Sequence, residues 1–129
     1  MQAQTASQNQ LINTIHCGDC IEVMRAMFTT SVDFILTDPP YLVNFRDRTG
    51  RTLRNDANSD WLRPAMAEAY RVLKNNRLML CFYGWPRAEE FLEAWREAGF
   101  RPLATSYFAS HTPRRRRTFS GISTNRRIC

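Results

Sequence analysis

Two prolines between an acid and a tyrosine, Asp38-Pro39-Pro40-Tyr41, close the apolar run VDFILT. Proline fixes φ and has no backbone donor, so this turn ends a strand and holds its neighbours rigidly. Held in that way, the Asp38 carboxylate and the Pro39 carbonyl can accept two hydrogen bonds from a single amino group. Tyr41 adds an aromatic face for a planar ring, an arrangement suited to a base taken out of its duplex. An aromatic amine is a poor nucleophile because its lone pair is delocalised into the ring. Two acceptors on its hydrogens favour the pyramidal nitrogen that attacks. As a bare tetrapeptide the turn is weak evidence, since Pro-Pro with a chance Asp and Tyr also ends a strand. Its place directly after a buried-looking strand favours the chemical reading.

Two further groups of residues invite chemistry. Arg46, Arg48, Arg51 and Arg54 lie in NFRDRTGRTLRNDANSD, with Asp47 as the only acid before Asp56. That segment suits phosphate contacts and equally suits a solvated loop. Gly50, Asp47 and Asn55 to Asn58 break any period, which predicts an irregular, exposed segment. Cys17 and Cys20 form a C-x-x-C, the spacing of a redox pair or half a zinc site. No second pair accompanies it; Cys81 sits in an apolar run and Cys129 ends the chain, so a metal site lacks ligands and the thiols read as structural, in a reducing compartment.

Charge is unevenly placed. The chain has 129 residues and a formal net charge of +6, yet residues 1–102 hold 12 Lys+Arg against 12 Asp+Glu. The excess is Arg114 to Arg117, Arg126 and Arg127, in a tail without acids. With 43% hydrophobic residues there is material for one core. No apolar run nears the roughly 20 residues of a membrane span, and MQAQTASQNQ lacks the basic start and apolar centre of a signal peptide. These features predict a cytoplasmic protein with a disordered lead-in over residues 1–10.

The elements that must position the turn alternate. LINTIHCGD predicts a strand ending near Asp19, and CIEVMRAMF a helix with Ile21, Met24 and Phe28 at helical spacing. SVDFILT is a strand of the kind covered on both faces of a parallel sheet. WLRPAMAEAYRVLKNN predicts a helix with Pro64 in its first turn, closing at Asn75-Asn76. RLMLCFYGW is a second buried strand. PRAEEFLEAWREAGF predicts a helix that packs Phe91, Leu92 and Trp95 and stops at Gly99. The pattern argues for an α/β fold, a Rossmann-like doubly wound parallel sheet, whose ligands sit beyond the carboxyl ends of the strands.

From IHCGDCIEVM through VDFILTDPPY to WLRPAMAEAYRVLKNNRLMLCFYG, over about residues 13–102, the sequence resembles the amino-terminal half of amino-group DNA methyltransferases in which the DPPY block precedes the cofactor block. The resemblance implies a Rossmann-like sheet binding S-adenosylmethionine and, because the turn begins with Asp and not Ser, methylation of the adenine N6 amine in double-stranded DNA. It gives Asp38 and the Pro39 carbonyl, held by Pro40, to the target amine and Tyr41 to stacking. It gives Asp19 to the adenosine of the cofactor, although an acid there also caps the next helix. It places the loop from Val43 to Asp60, with its four arginines, near DNA. The family's glycine-rich F-x-G-x-G does not occur in these residues, so this chain is expected to be inactive alone, with cofactor binding in question. Residues 11–102 read as a partial catalytic domain.

From Leu103 onward the pattern stops, which leaves two readings. One is a basic, disordered tail that binds nucleic acid, making the chain a non-catalytic nucleic-acid-binding fragment. The other is out-of-frame translation. Joining the third base of each codon to the next two permits GHIVFRKPYT across Leu103 to Pro113 and YQHEQAYL across Gly121 to Cys129, both like the family. On that account residues 103–129 should be disordered, the strand after Arg101 should be missing or poorly formed, and the body should expose a sheet edge and an apolar surface.

Overall fold

The computed structural model describes residues 12–109 and 118–125; the expected lead-in and all six tail arginines lie outside them. Strand periodicity sets the layout. In β2 (Leu73–Gly84), Met79, Cys81 and Tyr83 are buried, whereas Leu78, Leu80 and Phe82 point to the other side and stay at least partly accessible. β1 (Val32–Thr37) runs parallel to β2 in the same phase, Ile35 opposite Met79 and Thr37 opposite Cys81. A bulge separates the pairs Val32↔Leu73 and Phe34↔Leu78.

Three helices pack on the buried face of this pair, and two of them supply core residues. α1 (Cys20–Arg25) starts at Asp19, whose carboxylate accepts from Ile21 N at 2.8 Å. α2 (Leu62–Val72) buries Leu62, Ala65, Met66, Ala69 and Val72, one stripe at helical spacing, with Pro64 in the first turn as expected. It stops earlier than the sequence suggests. Leu73 is already extended and fully buried, because pairing with Val32 captures it into β2. A 3₁₀ turn (Trp85–Arg87) leads into α3 (Ala88–Ala98), which buries Phe91, Ala94 and Trp95. α3 ends at Gly99, with φ of 104° and its N–H on Trp95 O at 3.1 Å. There Phe100 turns back into the core and meets Tyr70 edge-on at 5.1 Å.

Three expectations need correction. Residues 12–19 form no strand: Ile12 and Ile15 do not fall on one face at period two, and Asn13 takes a φ of 55°. The strand SVDFILT is covered on one face only, for Phe34 is 53% and Leu36 62% exposed. The stretch after Phe100 is not without strands: β3 (Arg101–Ala109) and β4 (Thr118–Asn125) complete a four-stranded sheet of order β1-β2-β4-β3, β4 being antiparallel to both neighbours. Pairing satisfies backbone groups whatever the side chains, so an apolar period was the wrong signal; Thr105, Tyr107, Phe119 and Ile122 are strand formers. The fold is thus α/β, with β1 and β2 forming a parallel pair and the described helices gathered on one face.

Candidate active site

Asp38 to Tyr41 follow the carboxyl end of β1, and Gly84 and Trp85 stand at the carboxyl end of its neighbour β2. Between them opens a cavity of about 740 Å³, lined by the whole Asp38–Tyr41 turn and, across it, by Phe45, Leu53 and Trp85. The Tyr41 hydroxyl donates to Asp38 Oδ1 at 2.5 Å. This bond fixes the ring against the carboxylate. Burial first, and then the Asp38 carboxylate, push the Tyr41 hydroxyl well above the ordinary phenol value, so it remains a donor. Asp38 Oδ2 and the Pro39 carbonyl have no hydrogen-bond partner among the described residues.

The turn continues into strained backbone. Leu42, buried, and Asn44 both lie in the left-handed region, at φ of 60° and 51°, a conformation that needs support from outside. Three contacts provide it. Arg87 Nε donates to Leu42 O at 3.1 Å. Asp56, only 2% exposed, accepts from Val43 N at 3.2 Å and Phe45 N at 2.6 Å. Gly84 leaves room where a Cβ would stand 3.0 Å from Tyr41 Cβ and 3.3 Å from Tyr41 O. The sequence reading missed all three. Gly84 had a visible signal, a glycine ending a strand level with the turn; Asp56 had none, because its burial depends on how the loop closes.

The loop arginines are exposed, as expected, but not on irregular chain. Arg46 bridges Thr52, and Asp47 Oδ1 accepts from Thr49 N, Thr49 Oγ1 and Arg51 N at 2.7–2.9 Å, making a tight hairpin. Arg51 is also ion-paired to Asp47; Arg46 reaches the cavity wall, and Arg48 and Arg54 project from the loop. Asp19 is not among the cavity residues and serves as the cap of α1. Cys81 and Cys20 are quiet. Burial and the nearby Asp38 charge push Cys81 to about 12, and burial and Asp19 raise exposed Cys20, opposite to what a reactive thiolate needs.

A family model described as DNA methylase, of the N6/N4 type, matches residues 32–121, a span containing the turn, the loop, Gly84 and Trp85. The chain belongs to this methylase family. The match runs past Leu103 through β3 and into β4. YubD of Escherichia coli K12, which is named as a methylase, is 58% identical over 83 residues, covering 64% of this chain and 37% of YubD. The DNA adenine methyltransferase YhdJ of the same organism is 37% identical over 73 residues, 55% of this chain and 24% of YhdJ. A DNA modification methylase of Thermus thermophilus, in its complex with S-adenosyl-L-methionine, aligns with a TM-score of 0.68 at 18% identity, over 88% of this chain and 53% of that one. The chain therefore spans well under half of these curated relatives and about half of this structural neighbour, whose methyltransferase-type sheet it shares.

Proposed function

We propose that this methylase chain carries the amine-binding part of an enzyme that transfers a methyl group from S-adenosylmethionine to the N6 amine of adenine in double-stranded DNA. The observation that carries the reading is the pair of open acceptors: Tyr41 occupies one Asp38 oxygen, while Asp38 Oδ2 and the Pro39 carbonyl remain for the two hydrogens of an amine. Accepting both hydrogens draws the lone pair out of the ring and towards sp³ character, so the nitrogen is poised to attack. This stabilisation grows as positive charge develops on the nitrogen, and it therefore favours the transition state over the ground state. The Tyr41 ring, fixed by its bond to Asp38, is the stacking face.

S-adenosylmethionine supplies an electrophilic sulfonium methyl group. Asp19 caps a helix and does not line the cavity, and F-x-G-x-G does not occur in the sequence. The work assigned to this chain is on the acceptor side. Adenine is favoured over cytosine by the Asp that begins the turn and by the likeness to YhdJ. The exposed hairpin of Arg46, Arg48, Arg51 and Arg54 beside the cavity meets the phosphates.

The test exchanges the 83-residue matching segment of YubD for that of this chain and analyses the nucleosides of DNA treated with the hybrid and S-adenosylmethionine. N6-methyladenine is the expected product. N4-methylcytosine would overturn the base assignment, and a hybrid that binds DNA without methylating it, where YubD itself methylates, would support a nucleic-acid-binding fragment instead. Asp38→Ala in the hybrid is expected to lower the rate on the order of 10²-fold with DNA binding retained.

A further inference from the structure

Among the described residues, Asp56 is the one buried charged side chain, at 2% exposed. Burying a carboxylate is costly unless hydrogen bonds replace its water. Val43 N on Oδ1 at 3.2 Å and Phe45 N on Oδ2 at 2.6 Å do so, and the amide between them, Asn44 N, donates to the Asp56 carbonyl at 3.3 Å. One residue thus gathers three successive N–H groups. Such a concavity is an anion seat, and here the chain fills it with its own acid. The bonds fall at a junction. On one side, residues 43–45 follow the Asp38–Tyr41 turn after a single residue, Leu42, whose carbonyl Arg87 holds. On the other, the chain runs out through the arginine hairpin, closed by the Arg46–Thr52 bridge and by Asp47 N on Arg51 O at 3.0 Å, and returns at Asp56. Asp56 also lines the cavity. Hairpin and turn are therefore hydrogen-bonded through one residue.

We infer that Asp56 is a positioning residue that couples the arginine hairpin to the amine-binding turn, so that phosphate contacts made by the hairpin help to set the base amine against Asp38 and Pro39 O. The inference rests on the proposed action on a nucleobase amine. Without the Asp56 carboxylate the hairpin still carries its arginines, and the turn keeps its prolines, its Arg87 bond and its Gly84 contact. What is lost is the registry between them. Misplacement by about 1 Å at a reacting group costs on the order of 10²-fold, far more than it costs in phosphate binding, so the coupling shows in recognition of the amine.

The experiment titrates the 129-residue chain with two fluorescein-labelled duplexes and reads anisotropy across a salt series. One duplex carries a single unpaired adenine; the other carries purine there, which lacks the 6-amine. The wild type is expected to prefer the adenine duplex roughly 10-fold, in keeping with two hydrogen bonds to open acceptors, and Asp38→Ala to lose that preference. Asp56→Asn keeps the side-chain size and one acceptor. It should reduce the preference to about 2-fold with the salt slope unchanged, because the arginines remain. A merely structural role would weaken both duplexes alike and keep the ratio, and that result overturns the inference. Where Asp56→Asn fails to fold, Arg48→Gln with Arg54→Gln decides, since both side chains are exposed and neither lines the cavity. Coupling lowers the adenine preference by about 3-fold or more in that double variant; an unchanged ratio with a smaller salt slope overturns the inference. A wild type that binds both duplexes equally, or neither, sinks the nucleobase-amine reading and this inference with it, whereas a preference kept by Asp56→Asn sinks the inference alone.

Discussion

At the scale of single residues, the site is a strained turn restrained from three sides, and its restraints can be removed separately. Asp56→Ala deletes both acceptors for Val43 N and Phe45 N and leaves two donors inside the loop without partners. Losing partly buried hydrogen bonds of this kind costs about 1–2 kcal/mol each. The expected result is a loss of roughly 2–4 kcal/mol in denaturant unfolding, with earlier proteolysis within residues 43–56. A second residue-scale prediction concerns alkali. Cys81 has a folded-state pKa raised from 9.0 to about 12, so it stays protonated in the fold where the unfolded thiol ionises. The unfolded chain then binds fewer protons, and stability falls as pH rises from about 9 towards 12. Between about pH 8 and 10.5 the loss from this group should be near 2 kcal/mol. Cys81→Ala, less stable at neutral pH, should show a correspondingly shallower decline in urea midpoint over that interval. An equal slope in both proteins would mean that Cys81 is not the titrating group.

At the scale of elements, two glycines that both need positive φ separate strain from crowding. Gly99 ends α3 at φ of 104° and a Cβ there would meet the Tyr70 ring at 2.8 Å, whereas Gly50 turns the arginine hairpin at 83° with nothing within 4 Å. Gly50→Ala should cost about 1 kcal/mol from backbone alone. Gly99→Ala should cost about 2 kcal/mol or more, since Tyr70 must also move. The hairpin itself has a separate readout. Replacing Arg46, Arg48, Arg51 and Arg54 by Gln should weaken DNA binding across sequences and reduce the salt slope by about 3–4; an unchanged slope would make the loop a solvated connection. At this scale much was readable in advance. Pro64, Phe91, Trp95 and Gly99 fall where periodicity and capping place them, because those signals are local. The end of α2 was not, because tertiary pairing of Leu73 with Val32 decides it. The two strands after Phe100 were not, because an open sheet edge recruits backbone. Of the cavity lining, Asp38 and Tyr41 were legible from the turn; Asp56 and Gly84 were not, because they reach it only through contacts between distant segments.

At the scale of the whole molecule, the sheet carries helices on one face and leaves Phe34, Leu36 and Leu78 on the other in contact with water. This bare apolar surface predicts avid binding of a hydrophobic dye and a tendency to aggregate. Phe34→Thr with Leu36→Lys should lower both while changing unfolding free energy by no more than about 0.5 kcal/mol. Met79→Ala, on the covered face, should cost about 2–5 kcal/mol. Dye binding that survives the double substitution would mean that another surface takes the dye. The match of the family model through residue 121 is compatible with the strands seen in residues 101–109 and 118–125.

The parallel pairing of Val32 with Leu73 has a consequence during synthesis. An antiparallel hairpin closes from its own turn, but a parallel pair waits for the whole intervening segment to be made. At about 5–20 residues per second, roughly 2–8 s pass between the synthesis of Val32 and that of its partner Leu73. Gly84 is translated later still, so the strained turn after β1 has nothing to rest against until β2 is complete. The nascent chain is therefore a client for holding chaperones from the emergence of β1 until β2 follows it out of the ribosome, and slowing translation after residue 84 should lengthen the time it spends bound to them.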